Sequence, residues 1–461
     1  MPGLPSNLLI FILLFFFLKC HSLFLKLSLT TMKYIADLHI HSKFSRATSR
    51  KMVLDTLAYW AKIKGIRLLA TGDFTHPEWL FLLKQKLEPQ GNGFFRLKNI
   101  VPSNNEYLKS LHPSPEDVSF ILSTEISFIY SKKGKVRKIH ILLLAPDFDS
   151  VDKINQKLSG LGNLRSDGRP ILGMDAKAFV KIVSDHCPNC VVIPSHIWTP
   201  WFSLFGANSG FDSIEECFEE TTPFIFALET GLSSDPPMNW LLSCLDKYTL
   251  VSNSDAHSPS KIGREANVFD TEFSYKGLIE AIKSKNPDKF LHTIEFYPEE
   301  GKYHYDGHRK CGTLFSPRES LQHNNICPKC GKKITIGVMH RIEELSDRDQ
   351  GNSPPLRIPY INLIPLNEII AQAIEKTAEC KSVWDIYFRF IHEFENEQNI
   401  LTEISSAELK RIHPERISLG VERMRKGAVK IVPGHDGCFG DINLFEKDTL
   451  EEEAQAQLKL F

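Results

Sequence analysis

The chain has 461 residues, of which 42% are hydrophobic and 24% are charged. This is the composition of an ordinary globular protein with room for two or three domains. The formal net charge of −1 gives no overall basic field that would indicate a nucleic-acid partner, although a local basic face is compatible with it. The 10 cysteines are not spread as in a disulfide framework, which favours a reducing compartment, and we expect a cytoplasmic protein.

Residues 1–31 differ from the rest of the chain. Leu8–Leu18 is an uninterrupted apolar run of 11 residues, too short to span a bilayer and similar to the core of a signal peptide. No Lys or Arg precedes this run, and Met32 opens a strand-like segment. We interpret residues 1–31 as an extension from a misassigned start codon rather than as an anchor, and we expect no membrane partner.

Between residues 32 and 290, short apolar runs alternate with segments of helical spacing. After a first strand near Tyr34, the predicted strands are residues 65–74, 119–127, 138–146, 190–196, 224–230 and 248–257. Repeated strand and helix units indicate a parallel sheet in an α/β protein. With about seven units, a closed barrel is favoured, and chemistry in such barrels lies at the C-terminal ends of the strands.

Metal-competent side chains end several of these strands. They are His39 and His41, Asp73 with His76, Glu125, His140, His196, and Asp255 with His257. A single histidine at a strand end is usually a packed or surface residue, but the same pattern on several strands is not explained in that way. Imidazoles and carboxylates that crowd together shift one another's pKa values, and bound cations relieve this. The pattern therefore predicts a cation site at one end of the barrel.

Residues 291–349 contain a second kind of metal motif. The spacing H-x2-C followed by C-x2-C predicts a tetrahedral structural zinc site formed by His308, Cys311, Cys327 and Cys330. The first of these ligands has alternatives in His304, His323 and His340. The other C-x2-C pair, Cys187 and Cys190, has no second pair beside it, and we interpret it as incidental because zinc requires four ligands.

Residues 350–445 have mainly helical patterns and end in a strand, a Gly-rich turn and another strand. A basic cluster in this region either holds DNA phosphates or forms a solvated face, and consists of Arg423, Arg425, Lys426 and Lys430. Residues 446–461 form an acidic tail that ends in QLKLF. An apolar end on a polar tail is typical of a segment that a partner's pocket captures.

Several of these strings resemble known families. DLHIHS, ATGDFTHP, STEIS, KIHILLLAP, IPSHIWTP and SNSDAHSP resemble the metal motifs of PHP phosphoesterases. Longer strings, among them PSHIWTPWFSLFGANSGFDSIEECF, SNSDAHSPSKIGREAN, CPKCGKKITIGVMHRIEELSDR and VPGHDGCFGDI, resemble endonuclease Q from Met32 to about residue 445. The resemblance implies a PHP-type distorted (β/α)7 barrel, then a small zinc-binding domain and a helical C-terminal domain that binds DNA.

The resemblance also implies an activity and partners. Endonuclease Q proteins are metal-dependent DNA-repair endonucleases that cut the phosphodiester bond 5′ of deaminated bases (uracil, hypoxanthine, xanthine) or abasic sites. The terminal QLKLF is similar to the motif that docks bacterial proteins on the sliding clamp, which gives as clamp contacts Gln457, Leu458, Leu460 and Phe461.

The resemblance allows the strand-end residues to be assigned to ions, of which Zn²⁺, Mn²⁺, Mg²⁺ and Fe²⁺ all suit this ligand set. The first ion is assigned His39, His41, Glu125 and Asp255, and the second is assigned Glu125 as a bridge with His140 and His196. Asp73 stands where many PHP proteins have histidine; together with His257 it holds a third ion or positions the phosphate. We expect Asp37 to orient a ligating histidine. The expected catalytic residues are Glu125, Asp255 and His257.

Other interpretations remain open at this point. Residues 199–202 and 204–211 supply aromatic side chains either to a lesion pocket or to barrel packing. The function alternatives are a PHP-type phosphatase for a small phosphate ester, a helicase-associated DNA-binding protein, and an adaptor that has lost catalysis. No G-x-x-x-x-G-K-[ST] string occurs, so we expect no ATP-driven activity.

Overall fold

The computed structural model describes residues 31–100, 117–349, 351–412 and 415–445. The strands are β1 (Thr31–Asp37), β2 (Leu68–Ala70), β3 (Leu87–Pro89), β4 (Phe95–Leu97), β5 (Ser119–Lys132), β6 (Lys135–Ala145), β7 (Ile171–Leu172), β8 (Val191–Pro194), β9 (Ala227–Glu229), β10 (Thr249–Val251), β11 (Ala266–Glu272), β12 (Phe290–Glu295), β13 (Asp306–His308), β14 (Thr313–Phe315), β15 (Tyr360–Asn362), β16 (Lys430–Val432) and β17 (Asp441–Asn443). The α-helices are α1 (Leu54–Lys64), α2 (Pro77–Lys86), α3 (Phe148–Ser159), α4 (Ala176–His186), α5 (Ile214–Phe218), α6 (Pro236–Asn239), α7 (Tyr275–Ser284), α8 (Pro317–Gln322), α9 (Val338–Leu345), α10 (Leu366–Ala373), α11 (Lys381–Phe394), α12 (Ser406–Leu409) and α13 (Glu415–Arg425).

The strands up to β12 surround one centre. The main sheet has the order β15-β12-β11-β1-β2-β5-β4-β3, with β6 and β7 also paired to β5 and β8 paired to β6. β9 and β10 form a separate parallel pair. The N–H of Ile197, after β8, donates to the carbonyl of Glu229 at 3.1 Å, and Ile40 bridges to Ala256. The α/β barrel predicted from the sequence is confirmed.

The barrel departs from a regular series of parallel strands, because β5 and β6 form an antiparallel hairpin. Lys133 and Gly134 at its turn have φ of 50° and 75°, the positive values that two-residue hairpin turns require. The sequence alone does not reveal this turn, so it predicts only parallel pairing between neighbouring strands. In the hairpin register His140 lies opposite Ser127, two residues from Glu125, so the side chains of His140 and Glu125 share one face.

Capped amphipathic helices cover the outside of this sheet. The Asp147 side chain accepts from the Ser150 N–H at the start of α3, and the Ser274 side chain accepts from the Gly277 N–H at the start of α7. Such caps stabilise a helix by about 1 kcal/mol each. The buried face of α3 consists of Val151, Ile154 and Leu158. Burial of such faces against the strands fixes the strand ends on which the site is built.

The helical region docks under the barrel. Lys64, at the end of α1, forms a buried ion pair with Glu397, which also accepts from the Tyr387 hydroxyl at 2.6 Å and the Leu366 N–H at 3.0 Å. With these hydrogen bonds the buried charges are satisfied, which is the condition for such a pair to be stable. Lys64 precedes β2, so this contact lies at the N-terminal ends of the strands. The helical region therefore covers the end of the barrel opposite His39.

The last hairpin returns to the zinc region. The N–H of Tyr305 donates to the carbonyl of Gly434 at 2.9 Å, and the N–H of Arg309 donates to Asp436 at 2.6 Å. The β16–β17 hairpin thus packs on residues 299–309, whereas the sequence analysis grouped it with the helical region at 350–445. β15 also returns, and pairs in parallel with β12 of the barrel.

Two predicted segments lie outside the described residues. They are the N-terminal extension, apart from Thr31 in β1, and the tail with Gln457, Leu458, Leu460 and Phe461. Clamp binding therefore stays a prediction. Within the described part of the chain, we find no helix with the length and apolar character needed to cross a membrane.

Candidate metal centre

Six side chains from different strands converge at the C-terminal end of the barrel, in a cluster that we call the cup. One potential ligand atom from each residue lies within 4.8 Å of the others in two groups, His39, His41, Glu125 and Asp255, and Glu125, His140 and His196. Glu125 belongs to both groups. The structure thus brings together the six residues that were assigned to two ions from the sequence.

The cup atoms are close and largely shielded from solvent. Nε2 of His41 lies 3.0 Å from Oδ1 of Asp255, and Nε2 of His196 lies 3.0 Å from Oε1 of Glu125. Nδ1 of His140 is 3.1 Å from the same Glu125 oxygen. The side chain of Asp255 is 25% exposed and those of His39, His41 and Glu125 are fully buried, so the cup opens to solvent on the Asp255 side.

Several cup atoms are buried without a hydrogen-bonding partner, and they suit a cation. They are Nε2 of His39, Nε2 of His41 and Oδ1 of Asp255. A buried polar atom left in this state costs about 1–3 kcal/mol. Imidazole nitrogens and carboxylate oxygens are ligands for divalent transition metals, so an ion among these atoms would satisfy all of them. The residues present therefore fit a bound divalent ion.

The carboxylates of the cup are ionised. Burial alone would raise the pKa of Glu125, but His140, His39 and Arg169 hold it well below its usual range. Burial likewise opposes ionisation of Asp255, yet the adjacent His41 ring and the charge of His39 lower its pKa. Carboxylates kept in their charged form are available as ligands.

The backbone is strained at the strand ends that carry the cup. φ is 30° at His196 and 46° at Asp255, and it is 50° at the neighbouring Asp73. These residues lie in the left-handed region, at a cost of about 1–3 kcal/mol each. Strain of this kind persists only where the surrounding structure fixes it, and at His196 and Asp255 it occurs in residues whose side chains belong to the cup.

Glu229 is a site residue that the sequence analysis missed. Its carboxylate accepts from Nδ1 of His39 at 3.0 Å, from the Asn253 side-chain amide at 2.8 Å and from the His196 N–H at 2.9 Å. The available signal was a charged residue near a strand end, as for the other cup residues, because Glu229 is the penultimate residue of the predicted strand 224–230. It was omitted because no metal motif includes it.

Asp73 has a different position from the one predicted. Its carboxylate accepts from Nδ1 of His41 at 3.0 Å, from the Ser42 N–H at 2.6 Å and from the Ser45 hydroxyl at 2.9 Å. Both oxygens are thereby engaged, and Asp73 belongs to neither group of ligand atoms in the described residues. We correct the prediction of Asp73 as a metal ligand, because it orients His41 as Glu229 orients His39.

The prediction that Asp37 orients a histidine ring is wrong. Its carboxylate accepts from the backbone N–H groups of Ser254 at 3.1 Å and Gly263 at 3.0 Å. Asp37 therefore fixes the segment that carries Asp255.

His257 lies at the rim of the cup. Its ring centroid is 4.6 Å from that of His41, and its Nδ1 donates to the carbonyl of Asp255 at 2.8 Å. The side chain is 32% exposed and, among the described residues, joins no group of three ligand atoms. His76, another strand-end histidine, stacks on Phe44 instead of entering the cup.

Arg169 is a second residue that the sequence did not reveal. Its Nη1 donates to Oε2 of Glu125 at 3.0 Å. The preceding Gly168 fits only without a side chain, because a Cβ there would lie 2.3 Å from Oδ2 of Asp73. A lone arginine in a loop carries no spacing signal, so only the structure connects it with the cup.

The predicted structural zinc ligands also converge. The potential ligand atoms of His308, Cys311, Cys327 and Cys330 lie within 4.8 Å of one another. A hydrogen bond from Thr313 lowers the pKa of the Cys327 thiol to about 6, which favours the thiolate that binds metals. The alternative histidines are engaged elsewhere. His323 stacks on Phe315, His304 stacks on Tyr305, and Nδ1 of His340 is 2.6 Å from Asp306.

The basic cluster lies far from the cup. Arg425 and Lys426 line a cavity together with Lys33, at the start of β1, whereas His39 follows its end. At about 3.3 Å per residue, the length of β1 separates them by about 20 Å. Arg423 donates to the carbonyl of Leu444 and Arg425 donates to that of Leu401. These contacts give both arginines a structural role, and DNA binding by the cluster, which also includes Lys430, stays a prediction.

The aromatic loop after β8 divides into two parts. Leu204, Phe205 and Phe211 are fully buried and pack in the barrel. Trp201 is 48% exposed, and the ring of Phe202 lies 4.8 Å from that of His140. Barrel packing therefore accounts for Leu204, Phe205 and Phe211, and a lesion pocket stays a prediction for Trp201 and Phe202. Cys187 and Cys190 are buried and belong to no metal-ligand group of three or more among the described residues.

Two family models match parts of the chain. The model described as PHP-associated matches residues 247–287, which include Asp255 and His257. The model of the MJ0043 C-terminal domain matches residues 365–428 in the helical region.

Curated relatives match in sequence. The uncharacterized protein YqxK of Bacillus subtilis is 28% identical over 89% of this chain and 99% of its own length. The uncharacterized protein MJ0043 of Methanocaldococcus jannaschii is 36% identical over 53% of this chain, and that match spans only 31% of MJ0043.

Solved structures match over almost the whole molecule. The lesion-specific endonuclease PfuEndoQ of Pyrococcus furiosus superposes with a TM-score of 0.78 at 30% sequence identity, over 91% of this chain and 99% of that one. A complex of endonuclease Q with a 27-mer duplex that carries an abasic lesion gives a TM-score of 0.77, also at 30% identity, over 98% of that chain. With this identity and coverage, and with the cup and the cysteine cluster both present, the chain belongs to the endonuclease Q family.

Proposed function

We propose that this protein is a metal-dependent DNA-repair endonuclease that hydrolyses the phosphodiester bond 5′ of deaminated bases or abasic sites. The observation that carries the proposal is the convergence of buried, unpartnered imidazole and carboxylate atoms in the cup of an endonuclease Q family member. The relative bound to a duplex with an abasic lesion supports damaged DNA as the substrate.

The ions would be held by the two groups of cup residues, with Glu125 shared between them. Zn²⁺, Mn²⁺, Mg²⁺ and Fe²⁺ are all compatible with the donors. When bound, such ions lower the pKa of an attacking water and offset the negative charge on the leaving oxygen. The cysteine cluster would hold a structural Zn²⁺.

Two rim residues would act on the substrate directly. Arg169 places a guanidinium beside Glu125, where it would bind a non-bridging phosphate oxygen as the phosphate approaches. Because Nδ1 of His257 donates to the Asp255 carbonyl, Nε2 of its neutral ring is left as a proton acceptor at the open side of the cup. This nitrogen would take a proton from the attacking water.

Recognition of a deaminated base would require that the lesion leave the base stack. The Watson–Crick edge that distinguishes such a base is hidden in a duplex, and extrusion costs least for a mispaired or damaged nucleotide. This preference would itself contribute to lesion specificity.

The test is strand cleavage of one end-labelled duplex that carries uracil, hypoxanthine, xanthine or an abasic site at the same position. We expect a single nick 5′ of the lesion, lost with a chelator, restored by added divalent metal, and absent from the undamaged duplex. Release of phosphate from a small monoester without any nick would instead support the phosphatase alternative.

We also propose the sliding clamp as a partner, on the basis of the terminal QLKLF alone. Removal of residues 457–461 is expected to abolish co-elution with the clamp and to leave cleavage of short duplexes unchanged. Unchanged co-elution would contradict this proposal.

A further inference from the structure

Aromatic and basic side chains form a continuous strip from the rim of the cup to the β16–β17 hairpin. In order along the surface, the strip consists of Phe202, Trp201, Tyr303, Lys302 and Phe439. The Phe202 ring lies 4.8 Å from that of the cup residue His140, and the Trp201 ring lies edge-on to that of Tyr303 at 5.9 Å. Lys302 Nζ lies 4.3 Å from the centroid of the Phe439 ring.

Two aromatic residues of the strip are exposed to solvent. Trp201 is 48% exposed and Phe439 is 72% exposed, although both are large apolar residues. Single exposed apolar residues are common, but here they are joined into one surface that begins at the candidate site. A surface of this kind is typical of a binding face.

Trp201 is held in a fixed position relative to the cup. The hydroxyl of Thr199 lies 3.1 Å from Nδ1 of His196 and donates to the carbonyl of Trp201 at 2.9 Å. The N–H of Asn208 donates to the carbonyl of Pro200 at 3.1 Å, which closes the loop behind the tryptophan. The cup residue His196 and the backbone of Trp201 are thus connected through the Thr199 side chain.

The chemistry of the strip suits DNA. Aromatic faces stack on bases of any sequence, and lysines beside them contact phosphates. Lys138 adds a cation 5.3 Å from the Phe202 centroid, so cations accompany the aromatic rings at both ends of the strip. A protein partner would not require a cation beside the aromatic ring at each end.

We infer that this strip binds the damaged duplex and that Trp201 stacks in the gap left by the extruded nucleotide; the inference rests on the proposed function. Trp201 directly precedes Phe202, whose ring lies 4.8 Å from that of the cup residue His140. A phosphate in the cup therefore brings the gap beside it within reach of the indole.

The test compares Trp201→Ala with the full-length wild type in single-turnover cleavage of two substrates. One has an abasic site opposite a base, and the other has the abasic site in an unpaired bulge that is already unstacked. Loss of one stacking contact is expected to slow cleavage of the paired substrate about tenfold and to leave the bulged substrate nearly unchanged. Trp201→Phe is expected to recover most of the rate.

A matched control is Phe81→Ala, which removes another exposed aromatic residue (59% exposed) from α2, outside the strip. A second readout is 2-aminopurine placed next to the abasic site, whose fluorescence stays quenched when it stacks on an indole. We expect higher fluorescence in the complex with Trp201→Ala than in complexes with wild type or Phe81→Ala.

The outcomes separate the two proposals. A wild type that leaves the lesion duplex intact contradicts the proposed function, and with it the inference. A wild type that cuts normally while Trp201→Ala cuts the paired substrate equally well overturns the inference alone. Equal losses on the paired and bulged substrates overturn it too, because the gap would then not be the contact.

Discussion

Glu229 accepts a hydrogen bond from Nδ1 of His39 at 3.0 Å, and this turns Nε2 of the same ring toward Glu125 and Asp255. The other Glu229 oxygen accepts from the backbone N–H of His196 at 2.9 Å. One buried carboxylate thus positions two cup residues. Partners of this kind fix the tautomer and the ring direction of a metal-binding histidine.

Replacement of Glu229 by Gln is expected to weaken divalent-ion binding in the barrel by about 10–100-fold, because His39 loses its charged acceptor. Titration calorimetry on metal-stripped protein measures this. Glu295→Gln is the matched control, since this buried carboxylate accepts from Thr230 and not from an imidazole. Equal affinities in wild type and Glu229→Gln would show that His39 needs no such support.

Substitutions of Asp255 and Asp73 are expected to differ in their effect on cleavage, because Asp255 would bind an ion directly whereas Asp73 orients His41. Asp255→Asn removes a charged metal-binding carboxylate from the cup. It should abolish cleavage while lesion-duplex binding is retained. Asp73→Asn affects the ion only through His41 and should reduce cleavage by about 10–100-fold. Cleavage rates and gel-shift affinities of both variants provide the comparison. A more severe defect in Asp73→Asn than in Asp255→Asn would reverse these roles.

Cys327→Ser is expected to lower the zinc content by one ion per chain, because a structural site needs all four ligands. Residues 306–334 should then become sensitive to proteolysis, since zinc-binding energy is folding energy in small metal sites. Elemental analysis with limited proteolysis provides both readouts. Cys244→Ser, at an exposed cysteine outside the cluster, serves as the control. Unaltered zinc content in Cys327→Ser would exclude the predicted site.

We expect the free energy of unfolding to depend on pH because of Asp235. Burial, together with the nearby charge of Glu299, raises its pKa to about 7, although it caps α6 by accepting from the Met238 N–H. Because the folded-state pKa lies above the unfolded value of about 3.9, its stabilising effect is complete below about pH 4 and is lost as the pH rises through 7.

Asp235→Asn keeps an equivalent cap without the charge. We therefore expect the variant to be more stable than wild type at pH 8, by up to roughly 4 kcal/mol, with the difference vanishing near pH 4. Urea unfolding at several pH values measures it. A difference of the same size at all pH values would mean that ionisation of Asp235 is not the cause.

The position of the cup could be predicted because strand ends in a barrel share one rim, and His39 and His41 alternate on one strand. The cysteine spacing predicted its cluster for a similar local reason. The role of each residue in and around the cup was less predictable than the position of the cup. Asp73 and Glu229 both lie at strand ends, as the cup residues do, and only the structure shows that they accept hydrogen bonds from His41 and His39.

Contacts between strands or loops that are distant in sequence could not be predicted, for a different reason. The turn at Lys133 and Gly134 lacks the Asn-Gly or Asp-Gly signal of a tight hairpin. The contact between Gly434 and Tyr305 joins residues far apart in sequence, and no local pattern encodes it. The position of the basic cluster relative to the cup could not be predicted either, because composition does not tell which end of the barrel a helix covers.

The return of β15 to the barrel and of the last hairpin to the zinc region anchors the helical segment at both ends. A truncation after residue 349 would bare the edge of β12 and, at the same time, the surface around Gly307, where the His435 ring packs against the backbone. Open strand edges invite aggregation. Exchange of substrate-binding segments between relatives would therefore succeed only if the barrel, the zinc region and the helical region were transferred together.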